Sequence, residues 1–427
     1  MIDFTIPPEL QDVRSRVAAF VRDEVLPVEP DLDETNFDER LAGLRGRARA
    51  AGLWNPHLPA EWGGLGLGAL GMALVSQELG VSALASLALN CMAPDEGNMH
   101  LLLHTASSEQ KERYLRPLAD GEVRSCFAMT ERDVASSDPT QLRTSAKQDG
   151  EGWVLNGEKW FITGAMGAAF AIVVARSEDD PERDPRDRYS LFLVEGDNPG
   201  WEVVREIPVM GTEGPGGHCE VRLNDCRVGP DALLGKPGEG FALSQVRLGP
   251  ARLAHAMRWI GVAQRALDIA AQRASSREAF GSPLARHEAV GWMLADSAIE
   301  LYAARLMVLH AAWKIETGQG FKQEVAIVKV FVAEALGQIV DRAIQICGSL
   351  GYSADLPLER FYRDARAARI YDGPSEVHRM IIARNLVKAV AGSGTTKPGH
   401  RRRGLRGPRA AGPRPPRRSG RARGVSA

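Results

Sequence analysis

Cysteine is scarce in this chain and shows no pairing. The 427 residues hold five cysteines, Cys91, Cys126, Cys219, Cys226 and Cys347, an odd number with no CxxC pair. That argues against a disulfide framework or a zinc site, and it predicts reduced thiols in a cytoplasmic setting. The nine histidines show no metal-ligand spacing and no Ser/His/Asp pattern, so no metal is expected. No apolar run is long enough to span a bilayer. The opening MIDFTIPPELQD lacks a basic segment followed by an apolar one, so no signal peptide is expected. No GxGxxG follows a strand pattern, so nothing reads as a Rossmann site.

What is present fits a soluble globular protein with more than one structural unit. Hydrophobic content is 44% and charged content 25%, which is ordinary. The net charge of −1 hides an uneven distribution. Residues 393–427 hold eleven Lys or Arg and no acid, which leaves 42 bases against 54 acids in the body, a charge of about −12. This Gly/Pro/Arg-rich tail has no apolar face to bury and reads as disordered. Its charge permits contact with acidic surfaces or nucleic acid. A passive tail, with no nucleic-acid partner, is the preferred reading.

Residues 1–125 read as helical. Leu10 to Val21 carries apolar residues at helical spacing, and Pro27 closes it. Met72 to Leu79 reads as a helix ended by Gly80, and Ser107 caps another with acids in its first turn. Residues 126–230 change period. Asp149-Gly150 and Asn156-Gly157 both read as two-residue hairpin turns. Short strands are expected at 170–175, 189–194, 201–204 and 218–223, as in a small antiparallel barrel or sandwich. Residues 231–392 return to long amphipathic helices at 261–273, 289 to about 317 and 322 to about 346, which suit an antiparallel four-helix bundle. Their apolar surface exceeds the need of one bundle and predicts subunit association. The fold class is α+β, mostly α: an N-terminal helical domain (1–125), a middle β domain (126–230), a C-terminal helical bundle (231–392) and the tail (393–427).

The stretch from Gln345 to Arg379 carries the most specific pattern. A helix ends at Gly348, and Tyr371-Asp372-Gly373-Pro374 then holds an acid at a turn. Alone, Gly348 is a C-cap and Asp372 a turn residue. The spacing of Gln345, Gly348, Ser349, Gly351, Tyr352, Asp355, Arg360 and Asp364, followed by Arg369-Ile-Tyr-Asp-Gly-Pro-Ser-Glu, resembles the C-terminal signature of acyl-CoA dehydrogenases. Three further stretches resemble that family in the same order: 126–138 (CFAMTERDVASSD), 159–164 (KWFITG) and 277–281 (REAFG). The resemblance covers about residues 4–390.

The resemblance implies an acyl-CoA dehydrogenase-like fold with FAD bound across the interface of a homotetramer or homodimer. The implied substrate is an acyl-CoA thioester, and the implied electron acceptor an electron-transferring flavoprotein. Asp372 stands where most members carry Glu, and the resemblance gives it the α-proton while the β-hydride passes to flavin N5. Phe127, Met129, Thr130 and Ser136 are implied toward the flavin, and Ser137 toward the thioester. This copy has one extra residue before Asp138, and Arg132 replaces the usual Pro, so Ser136 and Ser137 stay alternatives. Phe161, in place of the usual Trp, would pack on the flavin, with Thr163 near N5. Arg277 and Phe280 would meet the FAD pyrophosphate of a neighbouring subunit, with Gln345, Gly348 and Ser349 completing the cradle. Pro374 and Glu376 complete the flavin side; Arg252, Tyr371 and Gly373 form the substrate side. Ala251 occupies the position where a few members carry their base, which leaves Asp372 without a rival. An apolar pocket is expected to raise the pKa of Asp372. A flavin oxidase of acyl-CoA or nitroalkane type, a DNA-binding flavoprotein and a degenerate scaffold are the alternatives.

Overall fold

Proline opens the N-terminal region. Helix α1 (Pro8–Phe20) starts on Pro8, whose missing N–H would have no helical partner in any case. A π-helical turn, Val21–Val25, extends it before Pro27. Then follow α2 (Phe37–Ala50), α3 (Ala69–Leu79), α4 (Ala83–Ala88) and α5 (Asp95–Thr105). The short α6 (Ser108–Gln110) begins on a capping box. The Ser107 hydroxyl accepts from the Gln110 N–H at 3.2 Å, and Gln110 Oε1 accepts from the Ser107 N–H at 3.0 Å. A π-helical turn at Lys111–Leu115 leads into α7 (Arg116–Ala119). The computed structural model describes residues 5–211 and 214–393. The expected disordered tail, from residue 394 on, lies outside the described residues. Residues 1–385 make one compact unit, and residues 386–427 are assigned to a second.

The middle region is one sheet in the order β6-β7-β3-β2-β4-β5-β8, with β1 pairing parallel to β4. Its strands are β1 (Ser125–Ala128), β2 (Ser145–Asp149), β3 (Gly152–Thr163), β4 (Phe170–Arg176), β5 (Tyr189–Glu195), β6 (Trp201–Glu206), β7 (His218–Val228) and β8 (Leu233–Leu234). The run Phe170–Ala175 lacks polar alternation because both faces of β4 are covered. Ile172 and Val174 pack on Leu101, Leu102 and Leu115 of the helical region. Ala171 and Val173 pack on Leu155 of β3 and on Val221 and Leu223 of β7.

Asp149-Gly150 makes the expected β2–β3 hairpin, with Gly150 at φ 62°. Asn156-Gly157 does not turn. It lies inside β3, where the register with β7 shifts between Leu155 and Gly157. A Cβ on Gly157 would come within 2.6 Å of Thr144 Oγ1. The glycine serves a bulge and a close approach, a use that shares the dipeptide signal of a turn.

The C-terminal region contains α8 (Gly240–Ser276), a small hairpin β9 (Glu278–Ala279) and β10 (Ser282–Pro283), α9 (Glu288–Glu316), α10 (Lys322–Cys347), α11 (Ser349–Tyr352), α12 (Leu358–Ala367) and α13 (Ser375–Ser393). Helix α8 begins well before the expected start at Gly261. It runs through Gly249-Pro250, the breaker pair that hides its first turns from a sequence reading. Leu253, Met257 and Ile260 of α8 share one core with Leu301 and Val308 of α9 and Val332, Leu336 and Ile339 of α10. The start of α13 lies along α10 through Arg379–Glu334 at 2.7 Å and Asn385–Gln323 at 2.8 Å. Helix α3 docks on α8 through two glycines. A Cβ on Gly80 would lie 2.1 Å from the Arg258 carbonyl oxygen, and one on Gly261 2.3 Å from that of Gln77. Among the described residues, no helix is long and apolar enough to cross a membrane.

Candidate active site

Helix α8 presents Arg247, Arg252, His255, Arg258 and Trp259 toward the turn that joins α12 to α13. That turn carries Tyr371, Asp372 and Gly373. Asp372 has φ 54° and Gly373 φ 96°, so the chain reverses through two left-handed residues. The Asp372 carbonyl accepts from Arg252 Nε at 2.8 Å, and His378 Nε2 lies 3.3 Å from it. From α10, the buried Lys329 Nζ donates to the carbonyls of Ala368 at 2.7 Å and Gly373 at 2.9 Å. Burial lowers the Lys329 ammonium to about 8, while Asp372 pulls it back up. The turn is thereby held from α8, α10 and α13.

The Asp372 carboxylate is in contact with a residue that the sequence reading passed over. Its Oδ2 lies 3.0 Å from His255 Nε2. Behind His255 stands Arg258, with Nη2 3.4 Å from His255 Nδ1 and Nη1 2.8 Å from Glu96 Oε2. The His255 ring stacks on Trp259 at 6.0 Å and meets the edge of Tyr371 at 5.0 Å. Trp259 Nε1 donates to the Tyr371 hydroxyl at 2.8 Å. The only sequence signal for His255 is its place one turn after Arg252.

The electrostatics correct one expectation. Burial alone would raise the Asp372 carboxyl, as the sequence reading expects. The hydrogen bond from His255, with the charges of Arg247 and Arg252, outweighs it and holds the carboxyl well below its ordinary range. Asp372 is therefore a fully ionised carboxylate at neutral pH. Burial lowers His378 to about 4 and so keeps it neutral, with the Arg252 charge acting in the same direction.

The flavin-side candidates meet at the ends of β1 and β3. Trp160 N–H donates to the Thr130 carbonyl at 2.8 Å, and the Thr130 hydroxyl donates to the Trp160 carbonyl. Phe127 lies beneath the Arg247 guanidinium at 4.2 Å, which links this edge to the Asp372 side. Met129 is half-buried, and its carbonyl accepts from the fully buried Lys159 Nζ at 2.9 Å. Ser136 bonds the Glu131 backbone at 2.8 and 3.0 Å, whereas Ser137 is exposed. Thr163 Oγ1 sits 3.0 Å from His218 Nδ1. The Pro374 carbonyl accepts from the N–H groups of Val377 and His378, and Glu376, one turn beyond Asp372, is exposed. Arg277, Phe280, Gln345, Gly348 and Ser349 are all exposed, on β9–β10 and at the end of α10.

Backbone strain marks the same places. Among the described residues, the non-glycine residues at positive φ are Asn55, Asn90, Phe161, Asp225, Phe280 and Asp372. Asn and Asp tolerate this region; Phe does not, and holding it there costs about 1–3 kcal/mol. Phe161 has φ 57° with 46% of its surface exposed, and Phe280 has φ 51° with 99% exposed. Two strained aromatics turned outward, one two residues before Thr163 and one three residues after the exposed Arg277, fit a planar heteroaromatic ring and an attached phosphate pair. The residues present therefore suit a flavin dinucleotide.

Comparison with known proteins points the same way. The family models for the acyl-CoA dehydrogenase N-terminal, middle and C-terminal domains match residues 7–122, 126–226 and 238–387. FadE2 of Mycobacterium tuberculosis, named a probable acyl-CoA dehydrogenase, is 40% identical over 399 residues, 90% of this chain and 96% of its own length. Acyl-CoA dehydrogenase family member 10 of Mus musculus is 39% identical over 90% of this chain, and family member 11 of Gallus gallus 40% identical over 88%. Both are longer proteins, of which the chain spans only 37% and 50%. Among solved structures, butyryl-CoA dehydrogenase from Megasphaera elsdenii superposes with TM-score 0.79 at 26% identity, covering 90% of this chain and all of that one. The FAD complex of PigA superposes with TM-score 0.80 at 26% identity over 90% of this chain and 99% of that one.

Proposed function

The chain belongs to the acyl-CoA dehydrogenase family, and from that membership we propose that it catalyses α,β-dehydrogenation of an acyl-CoA thioester with Asp372 as the base. The protein is an oxidoreductase and a flavoprotein whose cofactor is FAD. Phe127, Met129, Thr130, Ser136, Phe161, Thr163, Pro374 and Glu376 would hold the flavin half. Arg277, Phe280, Gln345, Gly348 and Ser349 would hold the pyrophosphate half for a second copy in a homotetramer or homodimer. When bound, FAD supplies a two-electron acceptor for the hydride that leaves Cβ.

Asp372 takes the proton from Cα. Its ionised carboxylate is ready to accept one, and the turn holds its backbone fixed while it does. The α-proton of a thioester is weakly acidic, so the carbonyl must be polarised as the proton leaves. Among the described residues, no backbone carbonyl accepts from the Asp372 N–H, and this group is the donor we assign to the thioester oxygen. Arg252, Tyr371, Gly373 and Ser137 border the substrate. Electrons would then pass to an electron-transferring flavoprotein.

The observation that carries the reading is the turn itself: a carboxylate at φ 54°, fixed through its own carbonyl by Arg252 and beside two cations. Anaerobic flavin bleaching with a panel of acyl-CoA thioesters tests it. Asp372→Asn keeps the shape and should retain FAD, while flavin reduction slows by at least about 10²-fold. Wild-type bleaching in that variant would overturn the assignment.

A further inference from the structure

We propose that His255 is the positioning residue of the base: its Nε2–H holds Asp372 Oδ2 and leaves Oδ1 as the oxygen that meets the substrate α-proton. This rests on the reading of Asp372 as the base and adds a residue to it.

Hydrogen-bond chemistry fixes the state of the ring. A guanidinium has donors only, so His255 Nδ1, which faces Arg258 Nη2 at 3.4 Å, must be the acceptor. The proton then resides on Nε2 and is donated to Asp372 Oδ2 across 3.0 Å. Arg258 cannot turn away, because Glu96 Oε2 holds it at 2.8 Å and the Cys91 carbonyl at 3.2 Å. The ring plane is set by Trp259 and Tyr371. The result is a chain in which Arg258 donates to Glu96 on one side and to His255 on the other, and His255 donates on to one carboxylate oxygen.

The carboxylate needs such a holder. From α8 it faces Arg247, Arg252 and His255; from α10 it feels Lys329, and from α13 His378. Free rotation would let it collapse onto one of these cations, and a carboxylate in a tight ion pair is a poor base. The arginines are engaged elsewhere. Arg247 Nε donates to Asn98 Oδ1 at 2.8 Å, and Arg252 Nε donates to the Asp372 carbonyl. Among the described residues, His255 makes the single side-chain hydrogen bond to the carboxylate. A neutral imidazole there orients the carboxylate without neutralising it.

The test uses the FAD-loaded enzyme, an acyl-CoA that bleaches the wild type, and two variants. His255→Phe keeps a ring and removes the donor; His255→Gln keeps a donor and removes the ring. Both should retain FAD and bind acyl-CoA. Flavin reduction in His255→Phe should fall by about 10- to 100-fold, and His255→Gln should recover a large part of it. The pH profile is the second readout. Wild-type reduction should show no acid limb from Asp372 above about pH 5, the upper edge of ordinary carboxylate titration. In His255→Phe the carboxyl loses its hydrogen bond, its pKa rises and an acid limb enters the range. Wild-type rate and profile in His255→Phe would overturn the proposal, as would equal losses in both variants with no acid limb. If Asp372→Asn is inactive while His255→Phe is normal, only the positioning role fails. If Asp372→Asn is active, the base assignment fails first and His255 falls with it.

Discussion

Asp372 has its carboxylate 3.0 Å from His255 and its carbonyl 2.8 Å from Arg252, whereas Arg277 and Phe280 turn outward, Phe280 with 99% of its surface exposed. Both segments carry a residue in the left-handed region, so both depart from relaxed backbone. They differ in what holds them there. Around Asp372 the frame is made by α8, α10 and α13 of the same chain. Around Arg277 the small hairpin β9–β10 leaves Arg277 and Phe280 exposed. The Asp372 half is enclosed by the folding of the chain itself, and the Arg277 half is left open; under the proposed function the first would transfer the proton and the second would bind phosphate after association.

This contrast predicts separable defects. The largest effect falls on the enclosed half: Asp372→Asn should slow bleaching by at least about 10²-fold and leave FAD content unchanged. Next, Arg277→Ala should leave the rate of bleaching per bound flavin near normal while FAD retention weakens by on the order of 1.5–3 kcal/mol, the value of a charge-assisted hydrogen bond. Flavin absorbance per protein after gel filtration measures it, and full retention would remove Arg277 from the site. A smaller loss, about tenfold in flavin reduction, is expected for Lys329→Met, because two carbonyls of the Asp372 turn lose their donor. If FAD retention fell instead, the two halves would be coupled through α10.

The smallest effect concerns the cost of packing the base side within one chain. His57 is coupled electrostatically to Glu96 and Arg258, both of its ring nitrogens are buried without a partner, and burial lowers it to about 4. The unfolded imidazole titrates near 6.5. Between these values the unfolded chain binds a proton that the folded chain refuses, so stability falls as pH drops from about 6.5 toward 4. At pH 5 this amounts to about 2 kcal/mol. His57→Gln should shrink the drop in melting temperature between pH 8 and pH 5 by a degree or two. His100 and His378, also lowered to about 4, keep the same sign in both proteins. An unchanged drop would show that His57 is not the titrating group.

The long helices of the C-terminal region were legible because α9 and α10 keep apolar periodicity and end at glycine. The β4 and β5 strands were legible as apolar runs. The first turns of α8 were not, because Gly249-Pro250 reads as a break and only tertiary packing carries the helix through it. Asn156-Gly157 gave a false turn, since a bulge and a turn need the same backbone freedom. In the site, Asp372, Phe161 and Phe280 were found through motifs, and each proved to lie in the left-handed region, where only the two Phe residues are strained. His255, Lys329 and Glu96 were invisible for a physical reason. They act from three helices far apart in sequence, and a lone His, Lys or Glu on an amphipathic helix looks like any solvated residue.

The glycine contact between α3 and α8 bears on how specificity can be re-engineered. A methyl group at Gly80 would land on the Arg258 carbonyl, and one at Gly261 on that of Gln77, so the seam has no slack. A mutant library meant to admit bulkier acyl groups would gain no room there. Widening the seam would move Arg258 and, through it, the His255 imidazole that we propose holds Asp372. Selection for new substrates should therefore conserve both glycines while their neighbours change.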